Sequence, residues 1–283
     1  MLELILAALL LGNPVSARDT IFELRRGDRL VLNDLSGEVQ VIGWDRDVME
    51  AQADADETTG FEFRRSGSQV TIRVLDRKNR DRMEDIHLRV PRWLDLELSG
   101  KRVEGQFRGL EGTLRIRSLH SELELEDLRG QTEITMTSGE ISARELNGPA
   151  RLKTGSGDLT VTESAGALNL ETVSGDIDLT DLRSPSVSAR TTSGEIGFNG
   201  RLLPDGEYKF QTHSGDITLG LAEPVNSQVS VLAYEGDFES DFPIRTRGFT
   251  SGQEITFTLG SGGARLILQA FGGEISLLRG GSS

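Results

Sequence analysis

A short motif recurs at nearly constant spacing along the second half of the chain. Glycine, an acidic residue and an aliphatic residue follow one another, usually after serine, at Gly139-Glu140-Ile141, Gly157-Asp158-Leu159, Gly175-Asp176-Ile177, Gly194-Glu195-Ile196 and Gly215-Asp216-Ile217. The interval between successive glycines changes little along this series, and further copies begin at Gly236 and Gly273. A nearly fixed period is typical of repeat proteins, in which each repeat packs mainly on its neighbours.

A second series of turn residues lies halfway between the copies of this motif. Its members recur with the same period, at Gly112, Gly130, Gly148, Gly166 and Ser184. Between the turns apolar and polar residues alternate, as in Leu159-Thr160-Val161, and no window shows a helical period. Alternation with period two predicts strands with one buried face. Each repeat should therefore contain two short strands and two tight turns.

Equal spacing favours a solenoid over a meander of hairpins, because stacked coils place like positions above like and need the same turn in every coil. We predict an all-β fold, a β-solenoid resembling a single-stranded β-helix, with coils of about 18 residues over 106–283. One interior column should contain Ile141, Leu159, Ile177, Ile196 and Ile217, and the facing sheet Ala150, Leu168 and Val187.

The part before the repeats, residues 18–105, is less regular but also rich in strand patterns, such as Val70 to Val74 and Leu94 to Leu98. An open sheet edge recruits other strands, so a solenoid needs its first coil covered. We expect a β-rich N-terminal cap over 18–105, with the C-terminal piece closing the other end.

The acid of the motif has two possible roles. In the structural role, glycine allows a positive φ while serine and the acid bind turn amides. In the functional role, the acids form a ladder that holds cations, as in calcium β-rolls; its members would be Glu140, Asp158, Asp176, Glu195, Asp216 and Asp237. Calcium needs six to eight oxygens, and one acid per coil supplies few. We therefore predict the structural role, with no metal or cofactor, and keep a cation-stabilised roll as an alternative.

Charge and the N-terminus indicate the compartment and the excluded partners. The net charge of −14 argues against nucleic acid as a partner, and the absence of cysteine excludes disulfides. Residues 1–17 resemble a signal peptide, with an apolar run from Leu4 to Leu11 and small residues before a cleavage after Ala17, although Glu3 stands where a positive charge is expected. We predict an exported protein, periplasmic or extracellular, without a transmembrane segment after cleavage.

No catalytic constellation stands out in the sequence. The three histidines, His87, His120 and His213, are not spaced as a metal pair, and no nucleophile elbow is present. The enzymatic alternative is a β-helix carbohydrate lyase or hydrolase using residues such as Lys153, Asp178 and Arg190. Outward strand faces carry such residues by default, so we predict no enzyme and no catalytic residue.

The recurring Ser-Gly-[Asp/Glu]-[Ile/Leu] pattern, together with the entry segment from Leu88 through Val90-Pro91 to Leu96, resembles the bacterial putative-adhesin family, a domain of unknown function. The resemblance implies an exported or membrane-anchored β-solenoid and supplies no catalytic residues. We therefore expect an adhesin or an envelope binding or structural module that presents a repetitive polar surface to a glycan or protein. The sequence offers charged strand faces for this role, namely Arg115, Arg117, Glu122, Glu124 and Glu133.

Overall fold

The computed structural model describes residues 19–54, 59–76, 85–244 and 250–280. Every regular element in these ranges is a β-strand. These ranges contain no helix that could cross a membrane. The predicted signal peptide and most of the charged run 76–82 lie outside the described residues. By its internal contacts the chain divides into two compact units, one up to Met136 and one from Thr137 onward.

The strands of the first unit, including the one that reaches the boundary, are β1 (Asp19–Glu23), β2 (Arg29–Trp44), β3 (Val48–Asp54), β4 (Thr59–Ser66), β5 (Gln69–Asp76), β6 (Asp85–Pro91), β7 (Asp95–Arg108), β8 (Leu114–Leu128) and β9 (Thr132–Ser138). Long parallel strands dominate it, since β7 pairs with both β2 and β8. The other edge of β2 pairs with β5 and β6, whose further neighbours β4 and β3 are antiparallel. The strands predicted before residue 105 are thus present, while the predicted domain boundary at 105 remains an expectation.

One position of the first unit, a period before Gly139, departs from the turn of the motif. Serine replaces glycine in the motif at Ser121, and β8 continues through this corner as one strand. The buried hydroxyls of Ser118 and Ser121 lie 2.6 Å apart there. A serine does not readily adopt the positive φ that the tight turn requires, so the chain passes the corner in an extended conformation.

The strands of the second unit are β10 (Ile141–Leu146), β11 (Ala150–Ser156), β12 (Leu159–Thr162), β13 (Leu168–Glu171), β14 (Ile177–Thr180), β15 (Ser186–Arg190), β16 (Ile196–Gly200), β17 (Glu207–Ser214), β18 (Ile217–Ala222), β19 (Ser227–Ala233), β20 (Phe238–Ser240), β21 (Ile255–Leu259), β22 (Ala264–Gly272) and β23 (Ile275–Gly280). All of them except β21 form two parallel stacks. The first stack begins β10, β12, β14, β16, β18, and the second stack begins β11, β13, β15, β17.

The predicted interior columns are confirmed. In the first stack the paired residues are Ile141, Leu159, Ile177, Ile196 and Ile217, each at most 1 % exposed. In the second stack they are Ala150, Leu168 and Val187. The chain therefore has the predicted all-β solenoid fold, in which burial of like residues in register forms the core.

The last coils do not follow chain order. Strand β22 pairs with β17 on one side and β19 on the other, and β23 pairs with both β18 and β20. The C-terminal coil, residues 264–280, thus lies between the coil of β17 and β18 and the coil of β19 and β20. Strand β21 pairs antiparallel with β19. The expectation that the C-terminal piece closes the end is wrong, because this piece supplies Leu266 and Leu268 to an interior position of the second stack.

Candidate functional site

The glycine of the recurring motif is required by close backbone packing. Gly175 has a φ of 149°, and a Cβ on it would lie 2.2 Å from the carbonyl oxygen of Gly157 in the preceding coil. Gly194 and Gly215 would meet the glycine of their preceding coil in the same way, at 2.0 and 2.1 Å. Any side chain at these positions would force the coils apart.

The aspartates of the motif bind the next coil. The Oδ1 atom of Asp158 accepts the backbone N–H of Asp176 at 2.8 Å, and Oδ1 of Asp176 accepts that of Glu195 at 2.7 Å. Oδ1 of Asp216 accepts the N–H of Glu274 at 2.7 Å, so Glu274 stands between Asp216 and Asp237 in the acidic ladder. This order corrects the predicted one, and the hydrogen bonds support the structural role of the acid.

Threonines two residues before the motif serine complete the turn. They point inward, and the Oγ1 atoms of Thr172, Thr191 and Thr212 donate to the carbonyl oxygens of Gly157, Gly175 and Gly194 at 3.0 to 3.2 Å. Sequence reasoning assigned these threonines no role. The part-buried carbonyls that these threonines bind explain their recurrence.

Asp178, two residues after the motif acid Asp176, is a carboxyl beside the acidic ladder with a perturbed pKa. Burial raises the pKa of this carboxyl above its ordinary value, and the neighbouring charges of Asp176 and Asp158 raise it further. A Cβ added to Gly197 would lie 2.6 Å from the Oδ1 atom of Asp178. Across the described ranges, no three or more histidine, aspartate or glutamate side chains are grouped so that they could hold a metal ion.

The second group with a perturbed pKa is the buried phenol of Tyr208. Its hydroxyl donates to the carbonyl of Ser184 at 3.0 Å and accepts the N–H of Leu203 at 2.8 Å. Burial raises its pKa, against a smaller lowering by the bond from Leu203. Because both partners are backbone groups between strands, this tyrosine stabilises the path of the chain rather than facing a ligand.

The residues considered for catalysis are not brought together. Asp178 projects from the first stack, whereas Lys153 and Arg190 project from the second. Lys153 contacts Glu171 at 2.5 Å, and Arg190 donates to Gln211. Of the three histidines, His87 lies 3.3 Å from Gln40, His120 pairs across strands with Arg102, and His213 stacks on Phe271.

The charged face predicted on β8 is largely self-paired. Arg115 lies 3.4 Å from Glu133, and Arg117 lies 3.8 Å from Glu97. Glu122 stands opposite Glu104 across strands, and Glu124 stands opposite Gln106. Exposed pairs of this kind contribute little to stability, and this face is a solvated surface.

A different polar surface has the features of a binding site. The outward side chains of β17, β22, β19 and β21 surround an open concavity of about 570 Å³. We refer to the outward side chains of these four strands as the cleft face. Across the strands, Lys209 stands beside Ile267, Ser230 and Thr256, and the next row contains Arg265, Gln228 and Thr258. The volume lies within the range of small-ligand sites.

The charge of the cleft face differs from that of the chain. Two cations, Lys209 and Arg265, and one carboxylate, Glu254, line the concavity, and Glu207 stands beside Arg265 on the same face, whereas the whole chain carries −14. Glu254 accepts a hydrogen bond from Ser230. Among the described residues, neither Lys209 nor Arg265 has a carboxylate oxygen within salt-bridge distance. The two cations therefore remain available to a ligand.

An aromatic row borders the cleft face. His213, Phe271 and Tyr234 come from the ends of three of its strands, and their ring centroids are 4.7 and 5.3 Å apart. Phe271 is 42 % exposed and Tyr234 is 49 % exposed. Exposed aromatic rings next to polar groups are typical of recognition surfaces.

Sequence reasoning missed this site because of the displaced C-terminal coil. Lys209 and Arg265 are far apart in the chain, and only the insertion of β22 between β17 and β19 brings them to one face. The sequence signal that could have found it is the loss of register at the end of the repeats, where the interval between motif glycines nearly doubles, from Gly236 to Gly273.

Comparisons with known proteins give a family and similar structures. The family model described as Toastrack DUF4097 matches residues 28–278. No curated protein matches the chain significantly. Among solved structures, a putative cell adhesion protein from Clostridium sporogenes ATCC 15579 is 9 % identical, with 94 % of this chain and 100 % of that chain covered and a TM-score of 0.21. A putative adhesin from Bacteroides fragilis NCTC 9343 is 12 % identical, with 92 % and 96 % covered and a TM-score of 0.36.

A putative adhesin from Parabacteroides distasonis ATCC 8503 is similar to the same extent. It is 8 % identical, with 92 % of this chain and 96 % of that chain covered and a TM-score of 0.35. The family match extends over nearly the whole described chain, including the motif repeats and the strands before them. This all-β solenoid chain therefore belongs to the Toastrack DUF4097 family.

Proposed function

We propose that this protein is an exported, non-enzymatic binding module that presents a repetitive polar sheet face to a glycan or protein of the cell envelope. The observation that carries the proposal is the cleft face, where polar side chains from neighbouring coils stand in register around a concavity. Export rests on the signal peptide predicted for residues 1–17.

The scaffold suits such a role. Backbone hydrogen bonds and the turn aspartates and threonines hold each coil to the next, so outward side chains keep fixed spacings. Neighbouring strands in a sheet are about 4.8 Å apart. A polymer lying across the strands meets side chains at this spacing, and weak contacts at several coils add to a useful affinity.

The test is retention of envelope material on the full-length protein. Immobilised protein is exposed to an envelope extract fractionated into polysaccharide and protein, and both are quantified in the eluate. Saturable retention of one component supports a binding module. Retention no greater than on the heat-unfolded protein would contradict the proposal.

A second measurement separates binding from catalysis. Any retained polymer is incubated with the protein, and new reducing ends or unsaturated products are measured over time. A binding module leaves the polymer intact, and single replacements such as Asp178→Asn change retention little. Turnover abolished by one such replacement would favour the carbohydrate-active enzyme instead.

A further inference from the structure

We propose that the concavity of the cleft face binds a short segment of an anionic glycan, with Lys209 and Arg265 contacting its acidic groups. The assignment rests on the proposed function and adds to it a ligand class and a place on the molecule.

The charge distribution supports an anionic ligand at this place. Lys209 is half-buried and Arg265 is exposed, and both line the concavity without an ion-pair partner among the described residues. Glu207 stands beside Arg265 across the strands, but no ion pair joins them. A guanidinium without a partner offers two parallel donors that match a carboxylate or a phosphate.

The floor of the concavity supports a sugar ring rather than a free ion. Ile267 is half-buried and points outward between Lys209 and Ser230. An aliphatic side chain between polar ones gives an apolar surface for the C–H face of a ring, while a small inorganic anion would gain nothing from it. Leu232, one row away and outside the concavity, is a second half-buried aliphatic side chain on the same face.

Hydrogen-bonding groups surround this floor. Amides are supplied by Gln228 and Gln269, and hydroxyls by Thr256 and Thr258. Gln269 accepts a bond from Gln211, which orients its amide. Amides and hydroxyls in fixed positions suit the alternating donors and acceptors of sugar hydroxyls. The aromatic row of His213, Phe271 and Tyr234 extends the surface beyond the concavity.

The net charge of the chain limits the ligand to a short contact. A long polyanion of any kind is repelled by a protein of charge −14, and only the local cations offset this repulsion. Binding should therefore depend steeply on Lys209 and Arg265 and weaken with added salt. Nucleic acid also carries negative charge, but its phosphates would make no favourable contact with the apolar floor.

The experiment measures dissociation constants of the full-length protein for short fragments of four polymers at 20 and 150 mM salt. The fragments derive from sodium polygalacturonate, a phosphomannan, neutral dextran and oligodeoxythymidine. We expect an anionic glycan fragment to bind, with polygalacturonate and phosphomannan fragments distinguishing carboxylate from phosphate as the recognised group. Dextran and oligodeoxythymidine should bind at least 10-fold more weakly.

Variants then locate the site. Lys209→Ala and Arg265→Ala should each weaken binding about 10-fold, the effect expected for loss of a charge-assisted hydrogen bond. Arg183→Ala removes the same charge from an exposed loop outside the concavity and serves as the matched control. Ile267→Ala should weaken polymer binding at 150 mM salt, where the charge contribution is screened.

The outcomes separate the ligand assignment from the proposed function. If envelope material is retained but neither anionic polymer binds, or if dextran or oligodeoxythymidine binds equally well, the ligand assignment is overturned while the binding module stands. If polymer binding survives both cation replacements, the location is wrong. If the Arg183 control loses as much as the site variants, recognition is a general charge effect and the assignment fails.

Discussion

Replacement of Gly175 by alanine tests whether the coils are packed as tightly as the backbone geometry indicates. The new Cβ would lie 2.2 Å from the carbonyl oxygen of Gly157, and that backbone atom cannot move alone. The φ of 149° adds a conformational cost of about 1–3 kcal/mol for a residue with a side chain. Separation of the coils would also weaken the bonds from the N–H groups of Gly157 and Gly175 to the next coil, at about 1 kcal/mol each. We expect a total loss of about 3–5 kcal/mol in the free energy of unfolding.

Two other glycines provide matched controls. Gly252 has a φ of 77°, but the nearest atom to its added Cβ is 4.0 Å away, so Gly252→Ala should cost only about 1 kcal/mol. At Gly197 the added Cβ would meet the terminal oxygen of Asp178, a side chain that can rotate, so Gly197→Ala should be nearly neutral.

The assay is urea unfolding of the three variants and the parent protein, followed by circular dichroism. We predict that Gly175→Ala lowers the midpoint far more than either control. If Gly175→Ala is no more destabilising than Gly252→Ala, the coils can separate at little cost, and the assignment of the motif to tight stacking is refuted.

Replacements at three further positions are tested by the same unfolding assay. Tyr208→Phe should cost about 1–3 kcal/mol, because two backbone groups between the strands lose their partner; an unchanged midpoint would mean that water replaces the hydroxyl. Asp176→Ala should cost about 1–2 kcal/mol through loss of the acceptor for the Glu195 N–H, and Asp176→Asn, which keeps an oxygen there, should cost less; equal losses would assign the effect to charge. The stability that protonated Asp178 contributes is complete below pH 3.8, the ordinary pKa of this carboxyl. It is lost as the pH rises through the raised pKa that the carboxyl has in the folded protein. Asp178→Asn should therefore be more stable than the parent at neutral pH, with the difference shrinking in acid, and a constant difference across this range would contradict the raised pKa.

The interior columns and the turn chemistry were predictable because they depend on near neighbours. Residues one period apart, such as Ile141 and Leu159, become neighbours in space as soon as the chain coils, so the sequence period reports the contact directly. The requirement for glycine in the motif was predictable for the same reason, because a motif glycine such as Gly175 packs on the glycine one period earlier. The role of the motif threonine was missed because its partner, the carbonyl of Gly157 for Thr172, is a backbone atom that leaves no trace in the sequence.

The cleft face was not predictable from the repeat. The alternating pattern around Leu266 and Leu268 fits any buried parallel strand, whether it lies last in the stack or between two others. The position of the strand in the stack depends on which strands it pairs with, and β22 pairs with both β17 and β19. Ligand-binding residues of this kind arise from the path of the chain, which a local pattern does not encode.

The position of the C-terminal coil affects how the second unit opens. In a solenoid built in chain order the last coil can detach alone, and unfolding proceeds inward from the end. Here the coil of β22 and β23 holds neighbours on both sides, so its departure would leave β19 and β20 without their parallel partners. The pairing of Glu207 with Arg265 also closes a much longer loop of chain than the pairing of Ala150 with Leu168 in an ordinary coil. The strands from β19 to β23 are therefore expected to exchange their amide hydrogens as one cooperative block, protected from the stepwise fraying that exposes the ends of other solenoids.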